Sequence, residues 1–242
     1  MKNNPKTVIV TGASQGIGAG VVRAFLVRGY NVVATSRNVT KSKELSASAR
    51  LRLVDGDIAE LETALTVTEL AIEKFGSIDA LVANAGIFLS KPFTKYTADD
   101  FHALISTNLT GFFYSTQLAV EQMLTQKTGG SIVSVTAALA DNPIAGVPAA
   151  VPMLTKGGLH AALKSLALEY AKDRIRFNAV APGVVDTPMH AENAKDVLKS
   201  LSPMGTISSV DDIACAVVYL AESPQITGEI LHVDGGAHNG KW

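Results

Sequence analysis

Short apolar runs alternate with longer amphipathic segments along the whole chain. The short runs are rich in Val, Ile and Ala and end in Gly, Pro, Asn or Asp, which is typical of buried β-strands. The longer segments repeat apolar residues at helical spacing. Strands are predicted over residues 8–10, 31–36, 51–57, 80–83, 130–136, 175–181 and 229–233. Helices are predicted over residues 17–28, 60–75, 98 to about 126, 154–172 and 210 to about 221.

This alternation of strand and helix predicts an α/β fold. We expect one domain over residues 1–242, with a doubly wound parallel sheet of about seven strands flanked by helices. Two helices are predicted to begin at capping boxes, because Asp100 and Asp212 stand three residues after Thr97 and Ser209. Asn108, a mediocre helix former in an apolar stretch, is expected to be satisfied by a backbone carbonyl of a distorted turn or by water.

The first predicted strand ends in a glycine-rich turn, TGASQGIG at residues 11–18. Glycines at 12, 16 and 18 let the backbone approach a phosphate closely, and the following helix offers free N–H groups to an anion. A strand before and a helix after the glycines are the context in which this pattern binds a dinucleotide pyrophosphate. The alternative is a structural turn that binds nothing.

The end of the second predicted strand bears on the choice of dinucleotide. An acidic residue there would bind both ribose hydroxyls of NAD. This chain has Thr35, Ser36 and Arg37 instead, and a hydroxyl beside a guanidinium suits the additional phosphate of NADP(H). The alternatives are a solvated surface arginine and NAD as the cofactor.

Composition narrows the classes of function. The chain has 242 residues, a formal net charge of −1 and 47% hydrophobic residues, so it can bury a large core and lacks an electrostatic footprint for nucleic acid. The N-terminal apolar run is too short for a signal peptide and no run reaches membrane-spanning length, so we expect a cytoplasmic protein with no membrane partner. The single cysteine, Cys215, excludes a disulfide framework and is expected to be buried. No cluster has metal-ligand spacing, and no metal is predicted.

Several motifs spread over the chain point to one family. They are TGASQGIG at residues 11–18, Asp57, NAG at 84–86, Asn108, Lys156, PG at 182–183, TPM at 187–189 and VDGG at 233–236. With these motifs the chain resembles the short-chain dehydrogenases/reductases over essentially its whole length. The resemblance implies a Rossmann fold that binds NAD or NADP, and a homodimer or homotetramer.

The resemblance also implies roles for the matching residues. Asp57 and Ile58 would contact the adenine, and Asn84 would support the ribose and the sheet. Lys156 would bond the nicotinamide ribose, and Thr187 with the backbone two residues before it would hold the carboxamide. Gln15 is not the basic residue that many NADP-binding members carry in the glycine turn. The full predicted cofactor set is Gly12, Ser14, Gln15, Gly16, Ile17, Gly18, Ser36, Arg37, Asp57, Ile58, Asn84, Ala85, Gly86, Lys156, Pro182, Gly183, Val185, Thr187 and Met189.

The chain departs from the family where the proton is transferred. In the family a tyrosine four residues before the lysine donates the proton, a serine after strand five polarises the carbonyl, and an asparagine holds a water relay. Here Asn108 matches the asparagine, but Pro152 stands at the tyrosine position. Ala137 takes the serine position when counted from the strand, and Leu139 when counted back from Lys156. None of these replacements can donate a side-chain proton.

Lys156 is the best-placed substitute for the missing donor, either directly or through a water held with Asn108. Desolvation beside a positively charged nicotinamide would lower the pKa of its ammonium. His160 lies one helical turn later on the same face and is expected to be packed or interfacial. His102, His232 and His238 suggest no role by their spacing.

Two segments, about 137–153 and 184–205, are expected to form the substrate pocket. The first is apolar with three prolines, so we expect a stiffened loop up to the helix at 154; the alternative is that it only packs, at a subunit contact. Asp141 and Asn142 within it can reach the pocket mouth or only form a turn. His190 in the second segment can contact substrate or face solvent.

Two functions remain open on these observations. Lys156 and Asn108, taken as catalytic residues, favour an NADP(H)-dependent oxidoreductase. It would transfer a hydride to or from a small carbonyl, imine or enone with a non-standard proton donor. The absence of the serine and tyrosine favours a catalytically inactive dinucleotide-binding sensor or subunit.

Overall fold

Seven parallel strands form the sheet that the sequence predicts. The structure, a computed structural model, describes residues 5–190 and 194–240. The strands run in the spatial order β3-β2-β1-β4-β5-β6-β7, and every neighbouring pair is parallel. They are β1 (Thr7–Thr11), β2 (Asn31–Ser36), β3 (Leu51–Asp55), β4 (Ala80–Ala83), β5 (Gly130–Val135), β6 (Ile175–Pro182) and β7 (Ile230–Val233).

Helices connect the strands and cover both faces of the sheet. They are α1 (Gly16–Val27), α2 (Leu61–Phe75), α3 (Ala98–Ile105), α4 (Gly111–Gln126), α5 (Ala150–Glu169), α6 (Lys195–Lys199) and α7 (Val210–Glu222). On one face, α1 and α7 pack against side chains such as Val8 and Val133. On the other, α2, α4 and α5 pack against side chains such as Ile9 and Ile132. Because both faces are buried, the strands are almost continuously apolar, as parallel strands usually are.

Both predicted capping boxes are present. Thr97 and Ser209 each accept a hydrogen bond from the backbone N–H three residues later, and the aspartate there bonds back to the cap residue. Between α3 and α4 the chain forms a π-helical turn, Ser106–Thr110. The predicted long helix over 98–126 is therefore interrupted, and Asn108 lies inside the interruption.

The chain reverses its direction of travel across the sheet between β1 and β4. From β1 it winds outward through β2 to β3, and β4 then returns to the other side of β1. In open α/β sheets, ligands bind in the crevice at such a switch point, outside the carboxyl ends of the strands. Asn84 ties the two halves together there: its Nδ2 donates to the carbonyl oxygens of Thr11 at 2.9 Å and Gly12 at 3.1 Å.

The predicted start of α5 at residue 154 is wrong, because the helix begins at Ala150. Pro152 occupies its third position. The first N–H groups of a helix have no intrahelical partner, so a proline there removes no hydrogen bond. The segment 137–153 is thus a loop only up to Ala149, and it includes a short 3-10 turn, Ala138–Ala140.

Two further expectations are corrected. The third strand ends at Asp55 and not at Asp57, which lies beyond it. Cys215 is exposed and not buried, because it lies on the outer face of α7 while its neighbours Ile213, Ala214 and Val217 turn inward.

The contacts of Asn84 predict a measurable loss of stability in Asn84→Ala. The variant leaves two carbonyl oxygens of the β1 turn without their donor, so unfolding should become easier by about 1–3 kcal/mol. Urea unfolding followed by circular dichroism measures this. Asn239→Ala is the matched control, since Asn239 is exposed and its side chain makes one long hydrogen bond, of 3.4 Å to the Gly236 carbonyl. Equal midpoints for the two variants would contradict the role assigned to Asn84.

Candidate cofactor and substrate site

A cavity of about 500 Å³ opens at the carboxyl ends of the strands, at the switch point. Its volume is in the range of small-molecule sites. Every predicted cofactor-binding residue contributes to its lining: Gly12, Ser14, Gln15, Gly16, Ile17, Gly18, Ser36, Arg37, Asp57, Ile58, Asn84, Ala85, Gly86, Lys156, Pro182, Gly183, Val185, Thr187 and Met189. The structure therefore brings together residues that are up to 177 positions apart in sequence, from Gly12 to Met189.

The glycine turn is shaped by close backbone contacts. Gly12 has a φ of +64°, and a Cβ there would lie 2.7 Å from the Cα of Ala85. A Cβ on Gly18 would lie 2.2 Å from the carbonyl oxygen of Gly12. Larger residues at either position would force the turn away from the strand. At the start of α1, Gln15 makes no side-chain cap, so the first N–H groups of the helix are available to an anion.

The rim of the cavity beside β2 and β3 carries polar groups. The Ser36 hydroxyl is buried and has no hydrogen-bond partner among the described residues. Arg37 is exposed next to it. Asp57 accepts a hydrogen bond from the N–H of Ala59 at 3.0 Å, which closes a turn and places Ile58, a buried residue, against the cavity.

Asn108 holds the far end of the site together. Its side chain is 2% exposed. Its Oδ1 accepts from the N–H of Ile87 at 2.8 Å, and its Nδ2 donates to the Ile87 carbonyl at 3.1 Å and the Thr155 hydroxyl at 3.0 Å. A backbone carbonyl satisfies Asn108, as predicted, but it belongs to Ile87 in the loop after β4 and not to the distorted turn Ser106–Thr110. Asn108 itself is absent from the cavity lining, whereas its neighbour Thr107 is part of it.

Lys156 projects from α5 to the cavity floor. Lys156 is 8% exposed, and its Nζ donates to the carbonyl oxygen of Val135 at 2.9 Å. Desolvation by burial lowers the pKa of this ammonium from 10.5 to about 8. Gly86 makes room for it, because a Cβ on Gly86 would lie 2.9 Å from Nζ.

The residues at the family's serine position are apolar and line the cavity. Ala137 and Leu139 both belong to the lining. Pro152 is buried in the first turn of α5, where its carbonyl accepts from the Thr155 hydroxyl at 2.8 Å. In the described part of the chain no tyrosine lines the cavity; Tyr96, for example, donates to the Leu89 carbonyl at 2.6 Å.

An apolar wall closes the cavity on the side of α5 and α6. The loop after β5 contributes Leu139, Ile144 and Val147, and the segment after β6 contributes Leu198 and Leu201. Both predicted substrate loops thus take part in the lining. His190 and Asn142 also line the cavity. Within the predicted loop 184–205, residues 191–193 lie outside the described part of the chain.

No spacing pattern in the sequence predicts the chain of polar side chains that lies beside this cavity. The hydroxyl of Thr136, at the end of β5, lies 2.7 Å from Nε2 of His160, a buried residue on α5. His160 Nδ1 lies 3.2 Å from Asp141, and the other carboxylate oxygen of Asp141 lies 2.8 Å from His232. His160 is packed, as expected. The spacing of His232 suggests no role, and the structure stacks its ring on that of His238 with centroids 3.9 Å apart.

Two general properties of the chain bear on its class. Across residues 5–190 and 194–240, no helix combines the length and the apolar character needed to cross a bilayer. Over the same residues, no three His, Cys, Asp or Glu side chains converge as metal ligands would.

Known proteins are similar to this chain along nearly their whole length. Residues 12–238 match the profile of the family described as Enoyl-(Acyl carrier protein) reductase. The chain is 34% identical to 3beta-hydroxysteroid dehydrogenase 1 of Eggerthella lenta, over 96% of this chain and 93% of that protein. It is also 34% identical to carbonyl reductase family member 4 of Xenopus laevis, over 96% of this chain and 97% of that protein.

Solved structures agree. ElxO with NADP bound superposes with a TM-score of 0.89 at 30% identity, covering 98% of this chain and 100% of that one. The 3-ketoacyl-(acyl-carrier-protein) reductase of Brucella melitensis complexed with NADH gives 0.90 at 28% identity, covering 96% and 98%. The profile match and the full-length relatives show that this chain belongs to the short-chain dehydrogenase/reductase family.

Proposed function

We propose that this protein is an NADP(H)-dependent oxidoreductase that transfers a hydride to or from a small apolar carbonyl, imine or enone. The observation that carries the proposal is the environment of Lys156. Its ammonium is buried, lines the cavity and has one hydrogen bond among the described residues, to the neutral carbonyl of Val135. A buried ammonium without a counter-charge is unfavourable. Ribose hydroxyls and a substrate oxygen would be its missing partners.

The cavity fits a nicotinamide dinucleotide. The glycine turn gives close access to backbone N–H groups at the start of α1, which suits a pyrophosphate. The cofactor would supply or accept the hydride. This chain would hold it through the glycine turn, Asp57 and Ile58, Asn84 and Lys156, with Thr187 at the carboxamide.

The rim beside β2 supports NADP(H) over NAD. The Ser36 hydroxyl is buried without a partner in the described chain, so it lacks the hydrogen bond that buried polar groups normally make. Arg37 stands beside it with its guanidinium exposed at the cavity. A phosphate on the ribose would satisfy both groups with charge-assisted hydrogen bonds.

The proton in this reaction would come from a group other than tyrosine. Ala137, Leu139 and Pro152 stand where the family's serine and tyrosine are expected, and none can donate. Lys156 would act as the catalytic residue that remains, and Asn108, which does not line the cavity, would act as a positioning residue. Asn108 would fix the floor of the cavity through Ile87, while Lys156 would place positive charge beside the substrate oxygen.

The apolar wall supports an uncharged substrate. Leu139, Ile144, Val147, Leu198 and Leu201 all line the cavity, so a charged group beside them would lose its hydration without gaining a partner. An activated carbonyl, an imine or an enone needs less acid assistance than a simple ketone, which matches a site without the usual phenol.

A second candidate is a dinucleotide-binding sensor or subunit without turnover. It is favoured by one observation, the replacement of both proton-handling residues by apolar ones.

Exposed apolar side chains on α4 and α5, such as Phe113, Leu154 and Leu168, support a homodimer or homotetramer. The one-domain organisation and the cytoplasmic location stay predictions.

Arg37→Ala tests the cofactor. The variant removes the cation proposed to bind the ribose phosphate, so NADPH should bind about tenfold more weakly or worse, with little change for NADH. Fluorescence titration of both nucleotides measures this. Arg50→Ala is the matched control, because Arg50 is exposed and does not line the cavity. Equal losses for NADPH and NADH would reject the NADP preference.

Lys156→Met tests the catalytic charge. Since the pKa of Lys156 is about 8, the ammonium is present at neutral pH and is lost as the pH rises through that value. Reduction of a panel of ketones, quinones, imines and enones should therefore fall on the alkaline side. In Lys156→Met it should fall by about 10²-fold or more at neutral pH. Lys172→Met, at an exposed position just after α5, is the control. Full activity in Lys156→Met would sink the assignment.

Restoring the family's pair tests the missing donor. In the double variant Pro152→Tyr with Ala137→Ser, the phenol would stand one helical turn before Lys156 on the same helix. Ketone reduction should then rise by about tenfold or more. Pro152→Phe with Ala137→Ser, which lacks only the hydroxyl, should stay at the parent rate. No gain in the tyrosine variant would mean that this position does not face the reacting atoms.

A further inference from the structure

A line of hydrogen-bonding side chains connects the cavity with the protein surface. It starts at Thr136, which lines the cavity directly before Ala137. The Thr136 hydroxyl meets His160 Nε2 at 2.7 Å, and His160 Nδ1 meets Asp141 at 3.2 Å. The line ends at Asp141, whose side chain is 41% exposed and whose second oxygen meets His232.

This line can hold an additional proton without leaving a polar group unsatisfied. With a neutral imidazole, the Thr136 hydroxyl donates to His160 Nε2, and His160 Nδ1–H donates to Asp141. With an imidazolium, both ring N–H groups donate, and the Thr136 hydroxyl turns to the Val180 carbonyl, 3.2 Å away. Buried polar groups without partners are unfavourable, so a site that satisfies both states can exchange a proton readily.

Opposing effects act on the protonation of His160, and together they lower its pKa. Burial lowers the pKa of His160, and the neighbouring carboxylate of Asp141 opposes that effect. His232 and Lys164 add repulsion that favours the neutral ring. Partial burial raises the pKa of Asp141, but its hydrogen bonds and ion pairs with His232 and His160 hold that pKa below its ordinary value. The carboxylate therefore stays charged and orients the imidazole at neutral pH.

We propose that Thr136, His160 and Asp141 form a proton relay in which the Thr136 hydroxyl exchanges a proton with the substrate oxygen. The proposal rests on the proposed oxidoreductase function and names the group that replaces the missing phenol. In the described lining between residues 135 and 147, Thr136 is the one side chain with a hydroxyl. It stands next to Ala137, where the family's carbonyl-polarising serine is expected.

Reduction of a carbonyl to an alcohol needs a hydride, which the reduced dinucleotide supplies, and one proton. The Thr136 O–H gives its proton to the substrate oxygen and takes the Nε2 proton of His160. The ring is then neutral with its proton on Nδ1 beside Asp141, and after the product leaves, Nε2 regains a proton from cavity water through the Thr136 hydroxyl. Alcohol oxidation runs the same transfers in reverse, and His160 accepts the proton.

The first test needs neither substrate nor cofactor. Long-range ¹H–¹⁵N NMR spectra of the imidazoles, recorded over a pH titration, report the protonation state of each ring nitrogen of His160. We expect the neutral ring to carry its proton on Nδ1, and the ring to gain the second proton in a reversible step below the ordinary pKa of histidine. Asp141→Asn should lower the pKa of His160 further, whereas Asp173→Asn, a distant exposed control, should leave it unchanged. A ring that holds its proton on Nε2, or that never titrates, would overturn the relay.

The second test uses turnover with the best substrate of the panel described above. Thr136→Val should lower kcat by about 10²-fold and leave NADPH binding unchanged, and Thr136→Ser should stay within a few fold of the parent. Asp141→Asn, at an exposed position, should lower kcat by about tenfold and shift the pH profile of kcat. This variant replaces Thr136→Val as the test if Thr136→Val does not fold. Parent-like kcat in Thr136→Val and Asp141→Asn would overturn the relay while the oxidoreductase function stands. If the parent protein binds NADPH but turns over no substrate, the proposed oxidoreductase function is overturned. The NMR titration of His160 then still tests whether Thr136, His160 and Asp141 exchange a proton.

Discussion

The contact between the ends of β1 and β4 is the constraint on which the site depends. Two halves of the sheet wind away from each other there, and a crevice opens where they part. The Thr11 hydroxyl accepts the N–H groups of Asn84 at 3.1 Å and Ala85 at 3.0 Å, while Asn84 donates back to the Thr11 and Gly12 carbonyls. Only glycine allows Gly12 to lie this close to Ala85. The hydrogen bonds between side chains and backbone at the ends of β1 and β4 therefore hold the two sides of the crevice together at this point.

A second fixed point lies at the other end of the cavity. Asn108 bonds Ile87 after β4 and Thr155 on α5, and Thr155 bonds the Pro152 carbonyl in the first turn of that helix. These hydrogen bonds hold α5 against the strand ends, and they position Lys156 so that its Nζ reaches the Val135 carbonyl. The π-helical turn at Ser106–Thr110 turns Asn108 inward to make them, as such turns often do at functional sites.

Features of the fold and the site that depend on neighbouring residues were predictable from the sequence, whereas features that depend on non-local packing were not. The glycine turn, both capping boxes and the strand pattern are each encoded within a few neighbouring residues, so the sequence sufficed for them. The three prolines of the loop after β5 predict too late a start for α5, because the first turn of a helix tolerates Pro152. The burial predicted for Cys215 is wrong because an apolar helical run does not show which of its residues face outward. The link between Thr136, His160, Asp141 and His232 has no spacing signal, since those residues come from four separate elements that only the folded sheet brings together.

The burial of Lys156 is itself an argument that the cavity is used. Lowering its pKa from 10.5 to about 8 means that the folded protein disfavours the ammonium by about 3 kcal/mol. Between these two pH values the unfolded chain binds more protons than the folded protein. The buried ammonium therefore destabilises the fold fully below about pH 8, and this destabilisation is relieved as the pH rises further. No carboxylate among the described residues offsets it, and the single partner is the neutral Val135 carbonyl. An apolar residue would be more stable at this position, so the unpaired charge is explained by a ligand whose oxygens reach the cavity floor.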